Sequence, residues 1–238
     1  MTISDTRSSP LLGALVDSSA AGTPQPTTLE GRIVTLLPLD PAAHARALYE
    51  GSHGEDREQL WRYLFDGPFP NRAAFDGRLR QMASSKDPLF FSILNNSSGV
   101  AVGYASCLRI EPAHRCIEVG NILFTPALQR TPGATEALYL MARHVFDDLG
   151  YRRYEWKCDA LNERSRRAAL RLGFGFEGVF RQHMIVKGRN RDTAWYSMLD
   201  SEWPARKANF ERWLAPVNFD PDGRQKQSLR RMNGAPGA

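Results

Sequence analysis

A chain of 238 residues with 42% hydrophobic, 24% charged and 10% aromatic residues has ordinary globular composition, which excludes disorder throughout and provides enough apolar surface for a real core. No run approaches the roughly 20 apolar residues of a membrane span, and the opening residues lack the basic start of a secretion signal. The net charge of +5 is partly a property of one end, since Arg224, Lys226, Arg230 and Arg231 all lie in the last fifteen residues. A solvated basic end accounts for them, and nothing else in the sequence supports a polynucleotide groove. Cys107, Cys116 and Cys158 are far apart with no CxxC pairing, so neither a disulfide framework nor a zinc knuckle is indicated; a reducing, cytoplasmic setting is the simplest expectation.

Residues 1–28 are rich in Ser, Thr, Ala, Gly and Pro and read as a disordered segment. Residues 29–215 carry no repeat and no linker, so they read as one mixed α/β domain, followed by a flexible basic tail over 216–238. RIVTLLPLD (32–40) predicts a strand that stops at Pro41, and PAAHARALYEGSH then predicts a helix with proline in its first turn. REQLWRYL (57–64) and NRAAFDGRLRQMASS (71–85) predict two more helices separated by the GPFPN breaker. LFFSILNN, VAVGYASCLRI and CIEVGNILFT alternate in the manner of antiparallel strands and are split by turn residues.

From Thr131 the period becomes helical through Leu149, with Gly150 as the stop. YRRYEWKCDA (151–160) returns to strand periodicity, NERSRRAALRL (162–172) predicts a helix closed by Gly173, and a hairpin about GRN follows. ARKANFERWL predicts a last amphipathic helix. Its Phe210, Trp213 and Leu214 suit either a dimer contact or the core of one subunit.

GFGFEG (173–178) matches the letters of a dinucleotide fingerprint, but the order is wrong: a helix ends there and a strand follows, whereas the fingerprint needs a strand before it and a helix after it. The junction LFTPALQRTPGATEAL is more informative. A strand leads there into the strongest helix, whose unpaired first amides and dipole suit a phosphate or pyrophosphate. Thr131 is placed to cap, Pro132 to occupy the first turn, and Gly133 to admit a ligand close to the backbone. Asn162 and Ser165 share one face of the next helix start, placed to reach a ligand's amide and leaving atom, though Asn162 taken alone reads as an N-cap. His44, His53, His114, His144 and His183 share no metal-ligand spacing, so no metal is expected. Trp61, Tyr63, Phe65 and Phe69 lie in a helical arm, where they either shape an acceptor pocket or pack a core.

The stretch ATEALYLMARHVFDDLGYRRYEWKCDALNERSRRAALRLGFGFEG, with the hairpin after it, resembles the GNAT N-acetyltransferases, within them the RimJ/RimL-like branch that acetylates primary amines. The resemblance covers residues 30 to about 204 and keeps the ATEA helix, the N-x-x-S helix and the LGF-x-x-EG turn in order. It implies an α/β (α+β) fold with a mostly antiparallel, centrally splayed sheet flanked by helices, and acetyl-CoA lying in the splay as co-substrate. The pyrophosphate loop of that family falls on Gln129, Arg130, Thr131, Pro132, Gly133 and Ala134. Pro132 departs from the pattern, because it stands where a glycine offers an amide hydrogen.

The same resemblance gives Asn162 a contact with the pantetheine arm and puts the Ser165 hydroxyl near the thioester sulfur. It makes Glu118 the base for the attacking amine and lets a strand amide near Leu123 or Phe124 polarise the thioester carbonyl. A structural role for Glu118, paired with an arginine, is the competing reading. The expected activity is direct acetyl transfer in a ternary complex to a protein N-terminus, a small amine or an amino-acid conjugate. A non-catalytic acyl-CoA-binding or regulatory module, and a nucleic-acid-associated protein led by the basic tail, are the alternatives.

Overall fold

The computed structural model describes residues 12–234; residues 1–11 of the N-terminal segment and 235–238 of the tail lie outside the described residues. Eight strands form one sheet in the order β1-β2-β3-β4-β5-β6-β8-β7. They are β1 (Leu29–Glu30), β2 (Val34–Pro38), β3 (Leu89–Asn95), β4 (Ala101–Glu111), β5 (Cys116–Phe124), β6 (Arg153–Asp159), β7 (Gly175–Val186) and β8 (Arg189–Leu199). Every neighbouring pair is antiparallel except β5 and β6. The helices are α1 (Pro41–Ser52), α2 (Arg57–Trp61), α3 (Arg72–Ser84), α4 (Pro132–Arg143), α5 (Glu163–Leu172), α6 (Trp203–Leu214) and α7 (Leu229–Met232).

Strand alternation divides the core into two layers. Phe91 and Ile93 of β3 point into the main cluster with α4 and α6, whereas Phe90, one residue away, points into a second cluster with Trp61, Phe75 and Leu79 of the arm α1–α3. Asp40 caps α1 by accepting from the Ala42 amide at 2.9 Å, and Asn71 caps α3 by accepting from Ala74 at 2.9 Å. α2 is shorter than its sequence predicts. It ends at Trp61, whose ring is drawn into the arm cluster and whose Nε1 donates to the Ser52 carbonyl at 2.9 Å.

α4 is buried on nearly all sides, as its apolar sequence requires. It does not run unbroken to Leu149. A π-turn occupies His144–Asp148, which keeps Val145 and Phe146 inside and brings Asp147 outward to accept from Trp203 Nε1 at 2.6 Å. The helix is also tied to the sheet through a carboxylate: buried Glu136 accepts the backbone amides of Arg32, Ile33 and Val34 at 3.1, 2.6 and 2.8 Å. That clamp fixes the start of α4 against β2. α5 ends, as expected, on Gly173 in the left-handed conformation, φ 98°.

Two expectations about the ends need correction. Residues 216–234 are not a free tail: Leu229 is fully buried in the main core, Asn233 Nδ2 donates to the Arg171 carbonyl at 2.9 Å, and Trp213 Nε1 donates to Gln225 Oε1 at 2.8 Å. Amphipathic α7, though only one turn long, covers apolar surface that α5 and α6 would otherwise expose. Within the N-terminal segment, residues 12–28 have no regular secondary structure, yet the Ala21 and Gly22 amides donate to the carbonyls of Pro112 at 3.0 Å and Leu149 at 2.8 Å. Phe210, Trp213 and Leu214 are buried in this subunit's own core and so present no dimer face.

Candidate active site

The parallel pair supplies the cleft. β5 and β6 are in register only from Cys116 opposite Arg153 to Val119 opposite Trp156. Beyond that point β5 runs on through Gly120–Phe124 with β4 on one side and no strand on the other. Backbone groups along that open edge are available to a ligand. An extra residue at Asn121 and Ile122 faces Ala105 of β4, and this bulge bends β5 away from β6. Asn121 tolerates the required φ of 50°, and its Nδ2 donates to Ser106 Oγ at 3.0 Å while Ser106 donates to the Gly120 carbonyl at 3.1 Å.

The splay opens into a cleft of about 1100 Å³. That lies at or above the usual 300–1,000 Å³ of small-molecule sites and leaves space for two reactants. Glu118, Leu123, Phe124, Gln129, Arg130, Thr131, Ala134, Asn162 and Ser165 all line it. Gly133 lies between Pro132 and Ala134, which both line the cleft, and its missing side chain points away toward β2. A Cβ there would sit 3.0 Å from Val34 Cγ1 and 3.3 Å from Ile33 Cγ2, so glycine permits close packing of α4 on β2.

At the start of α4, Thr131 is the N-cap, accepting from the Ala134 amide at 3.4 Å and donating its hydroxyl to the Leu128 carbonyl at 2.7 Å. Pro132 takes the first helical position, where the missing amide would have no partner within the helix. Arg130 adopts φ 61°, rare for a residue with a side chain, and Gln129 Nε2 donates to the Phe124 carbonyl at 2.8 Å, binding the loop to the end of β5. At the start of α5, Asn162 is the N-cap: Oδ1 accepts from the Ser165 amide at 3.1 Å, which leaves its Nδ2 hydrogens for other partners. Ser165 Oγ accepts from Trp156 Nε1 at 3.0 Å, and its hydroxyl stands beside the Cys158 thiol.

Glu118 is 4% exposed and both readings of it have structural content. Arg109 Nη1 lies 3.1 Å and Lys157 Nζ 2.9 Å from its Oε2; among the described residues Oε1 takes no hydrogen bond. Burial pushes the Glu118 carboxyl above its ordinary value, opposed by Lys157 and Arg109. Lys157 also pairs with Glu155 Oε2 at 2.6 Å and stands 3.9 Å over the Trp195 ring.

Several cleft residues have no signal in local sequence. Lys157, Arg109, His183 and Arg191 become neighbours of Glu118 only through strand register. The charged alternation of β6, with Glu155, Lys157 and Asp159 opposite Tyr154, Trp156 and Cys158, is the one trace legible beforehand. His183 Nδ1 lies 2.9 Å from Thr193 Oγ1, and its pKa is lowered by desolvation and by the charges of Arg109, Arg191 and Lys157. The arm aromatics divide: Tyr63 and Phe65 line the cleft, whereas Trp61 and Phe69 pack with His53 and Phe75. Tyr63 OH donates to the Leu161 carbonyl at 3.1 Å and so ties the arm to the loop before α5. Gln225 and Phe219 of the C-terminal segment also line the cleft. Among the described residues no cluster of His, Cys, Asp and Glu is placed to hold a metal, and no helix is long and apolar enough to cross a membrane.

The comparisons agree with this geometry. Residues 34–175 match the family model described as "Acetyltransferase (GNAT) domain". The crystal structure of a GCN5-related N-acetyltransferase from Brucella melitensis is 49% identical, with a TM-score of 0.90, over 92% of this chain and 99% of that one. A "probable acetyltransferases (GNAT family)" structure from Chromobacterium violaceum is 41% identical, with a TM-score of 0.76, over 83% and 98% of the two chains. The Bacillus subtilis protein named "Putative ribosomal N-acetyltransferase YdaF" is 33% identical over 46% of this chain and 59% of its own length, so the match spans little more than half of that relative. With its splayed sheet, its two helix starts on one cleft and these relatives, the chain belongs to the GNAT acetyltransferase family, in likeness to its RimJ/RimL-like branch, and that family uses acetyl-CoA as co-substrate.

Proposed function

We propose that this protein is an N-acetyltransferase that moves the acetyl group of acetyl-CoA directly to a primary amine within a ternary complex. The observation that carries the reading is a single cleft shared by the open edge of β5, the two helix starts and a buried carboxylate. The start of α4 suits the donor's pyrophosphate through backbone amides and the helix dipole rather than through a lysine. Asn162 Nδ2 suits the amide-rich pantetheine arm.

Attack requires a neutral amine. Glu118 Oε1, the oxygen the two cations leave free, accepts the proton directly or through one water, helped by the upward shift that burial gives its pKa. The amine nitrogen then bonds to the thioester carbon, negative charge builds on the carbonyl oxygen, and an amide on the edge of β5 near Leu123 or Phe124 stabilises it. The carbon–sulfur bond breaks as the Ser165 hydroxyl donates to the leaving thiolate. Acceptors remain a protein N-terminus, a small amine or an amino-acid conjugate.

The competing reading, an acyl-CoA-binding module without turnover, draws on Pro132 and the lost amide. Calorimetry with acetyl-CoA, followed by thiol release over a panel of amines, separates the two. Binding with amine-dependent release of CoA supports the transferase; tight binding with no release on any amine supports the module.

A further inference from the structure

Arg191 is the unmatched charge of the acceptor face. Antiparallel register places Lys157 opposite Trp195 and Asp159 opposite Thr193, and residues two apart on a strand share a face, so Arg191 lies on the same side of the sheet as Lys157 and Glu118. That side is covered by the arm, not by α4 and α5. The other cations there have contact partners: Lys157 has Glu118 and Glu155, and Arg109 has Glu118. Arg191 has none among the described residues. It is 7% exposed, its Nε has no hydrogen-bond partner, and its guanidinium stands 5.0 Å over the Phe65 ring of the arm. Asp159 and Glu118 act on it only through space. Stacking orients the guanidinium plane but uses none of its N–H donors, and a buried guanidinium with idle donors carries an uncompensated desolvation cost. The side chain nevertheless lines the cleft, where a ligand reaches it.

We infer that Arg191 is the binding site for an oxyanion, a carboxylate or phosphate monoester, borne by the acceptor near its amine. The inference rests on the amine-transfer reading and narrows its acceptor class. The guanidinium fork matches two oxygens of such a group, and burial between β8 and Phe65 makes each of those bonds stronger than it would be in water. Glu118 then faces the ammonium end of the same molecule, so the two ends of a zwitterionic acceptor meet opposite charges. Desolvation and the charges of Arg109, Arg191 and Lys157 lower the His183 pKa, which disfavours a further positive charge beside them.

The test compares matched acceptors on the full chain: glycine with glycinamide, and O-phosphoethanolamine with ethanolamine. The wild type is expected to favour the charged member of at least one pair by roughly 10–100-fold in kcat/KM, the range for hydrogen bonds to a charged group. Arg191→Gln brings that ratio toward one, mainly through KM, and Arg191→Lys restores part of it; which pair responds identifies carboxylate or phosphate. A wild-type ratio near one, or a ratio unchanged in Arg191→Gln, overturns the inference and leaves amine transfer standing. If no amine is acetylated at all, calorimetry of N-acetylglycine and of inorganic phosphate against the CoA-saturated protein decides: binding lost in Arg191→Gln upholds the oxyanion site while the transferase reading fails, and binding that is absent or independent of Arg191 overturns the site as well.

Discussion

Replacing Glu118 with glutamine separates its proposed chemistry from its structural contacts. The substitution keeps the shape of a side chain that is almost completely buried and removes only the charge and the proton-accepting oxygen. Lys157 keeps Glu155 at 2.6 Å, and Arg109 has 42% of its side chain exposed to water, so neither cation is left buried and alone. Because burial raises the Glu118 pKa, the folded state holds the proton more tightly than the unfolded chain does. The group therefore favours folding below its unfolded value, 4.5, and that contribution is lost as pH rises through the folded pKa. At neutral pH the neutral glutamine relieves this cost, and the melting temperature is expected to hold or rise. Activity behaves in the opposite way. Loss of a positioned base costs about 10²–10⁴-fold in kcat, or roughly 2.7–5.4 kcal/mol at 1.36 kcal/mol per tenfold. The acidic limb of the pH–rate profile, which reports ionisation of Glu118, should vanish. Thiol-release kinetics from pH 5 to 9 on wild type and Glu118→Gln measure both. A variant within threefold of wild type across that range, with its acidic limb intact, would refute Glu118 as the base and turn attention to His183.

Glu136→Ala removes the acceptor for three backbone amides, of which that of Val34 is buried and those of Arg32 and Ile33 are partly buried, so urea denaturation should show a loss of about 1–3 kcal/mol, the cost of the one fully buried donor. A loss below 1 kcal/mol would mean that water fills the clamp without penalty. Leu229→Ala should cost about 2–5 kcal/mol in the same experiment, since the side chain is fully buried in the main core; an unchanged midpoint would return residues 216–234 to the status of a loose end. Gly133→Ala forces Val34 and Ile33 aside and is expected to cost about 1–3 kcal/mol in stability, while calorimetry finds CoA affinity within about threefold. The reverse pattern would mean that the missing side chain serves the donor rather than the packing of α4 on β2.

Local periodicity carries much of this fold. The alternating runs of β3, β4 and β5, the apolar face of α4 and the Gly173 stop are all written in contiguous residues, and each forms where the pattern places it. Asn162 and Thr131 are legible for the same reason, since a cap is a contact with the next few residues. What depends on distant pairing is not legible. Arg191, His183 and Lys157 reach Glu118 through the registers of β6, β7 and β8, and no window of sequence contains those registers. The C-terminal segment misleads through composition: Arg224, Lys226 and Arg231 do face water, but a single leucine at 229 and the amides of Asn218 and Asn233 attach it to the domain. The packing use of Gly133 is hidden in another way, because only the position of β2 shows that a side chain there would meet Val34 and Ile33.

The grip of one thioester donor by the two helix starts is tested most directly by crystals grown with acetyl-CoA. The account predicts the pyrophosphate at the first turn of α4 beside Thr131, the pantetheine along the free edge of β5 from Gly120 to Phe124, and Asn162 Nδ2 within hydrogen-bond distance of it. A donor bound outside the splay of β5 and β6, or a crevice filled by the protein's own side chains at saturating donor, contradicts it.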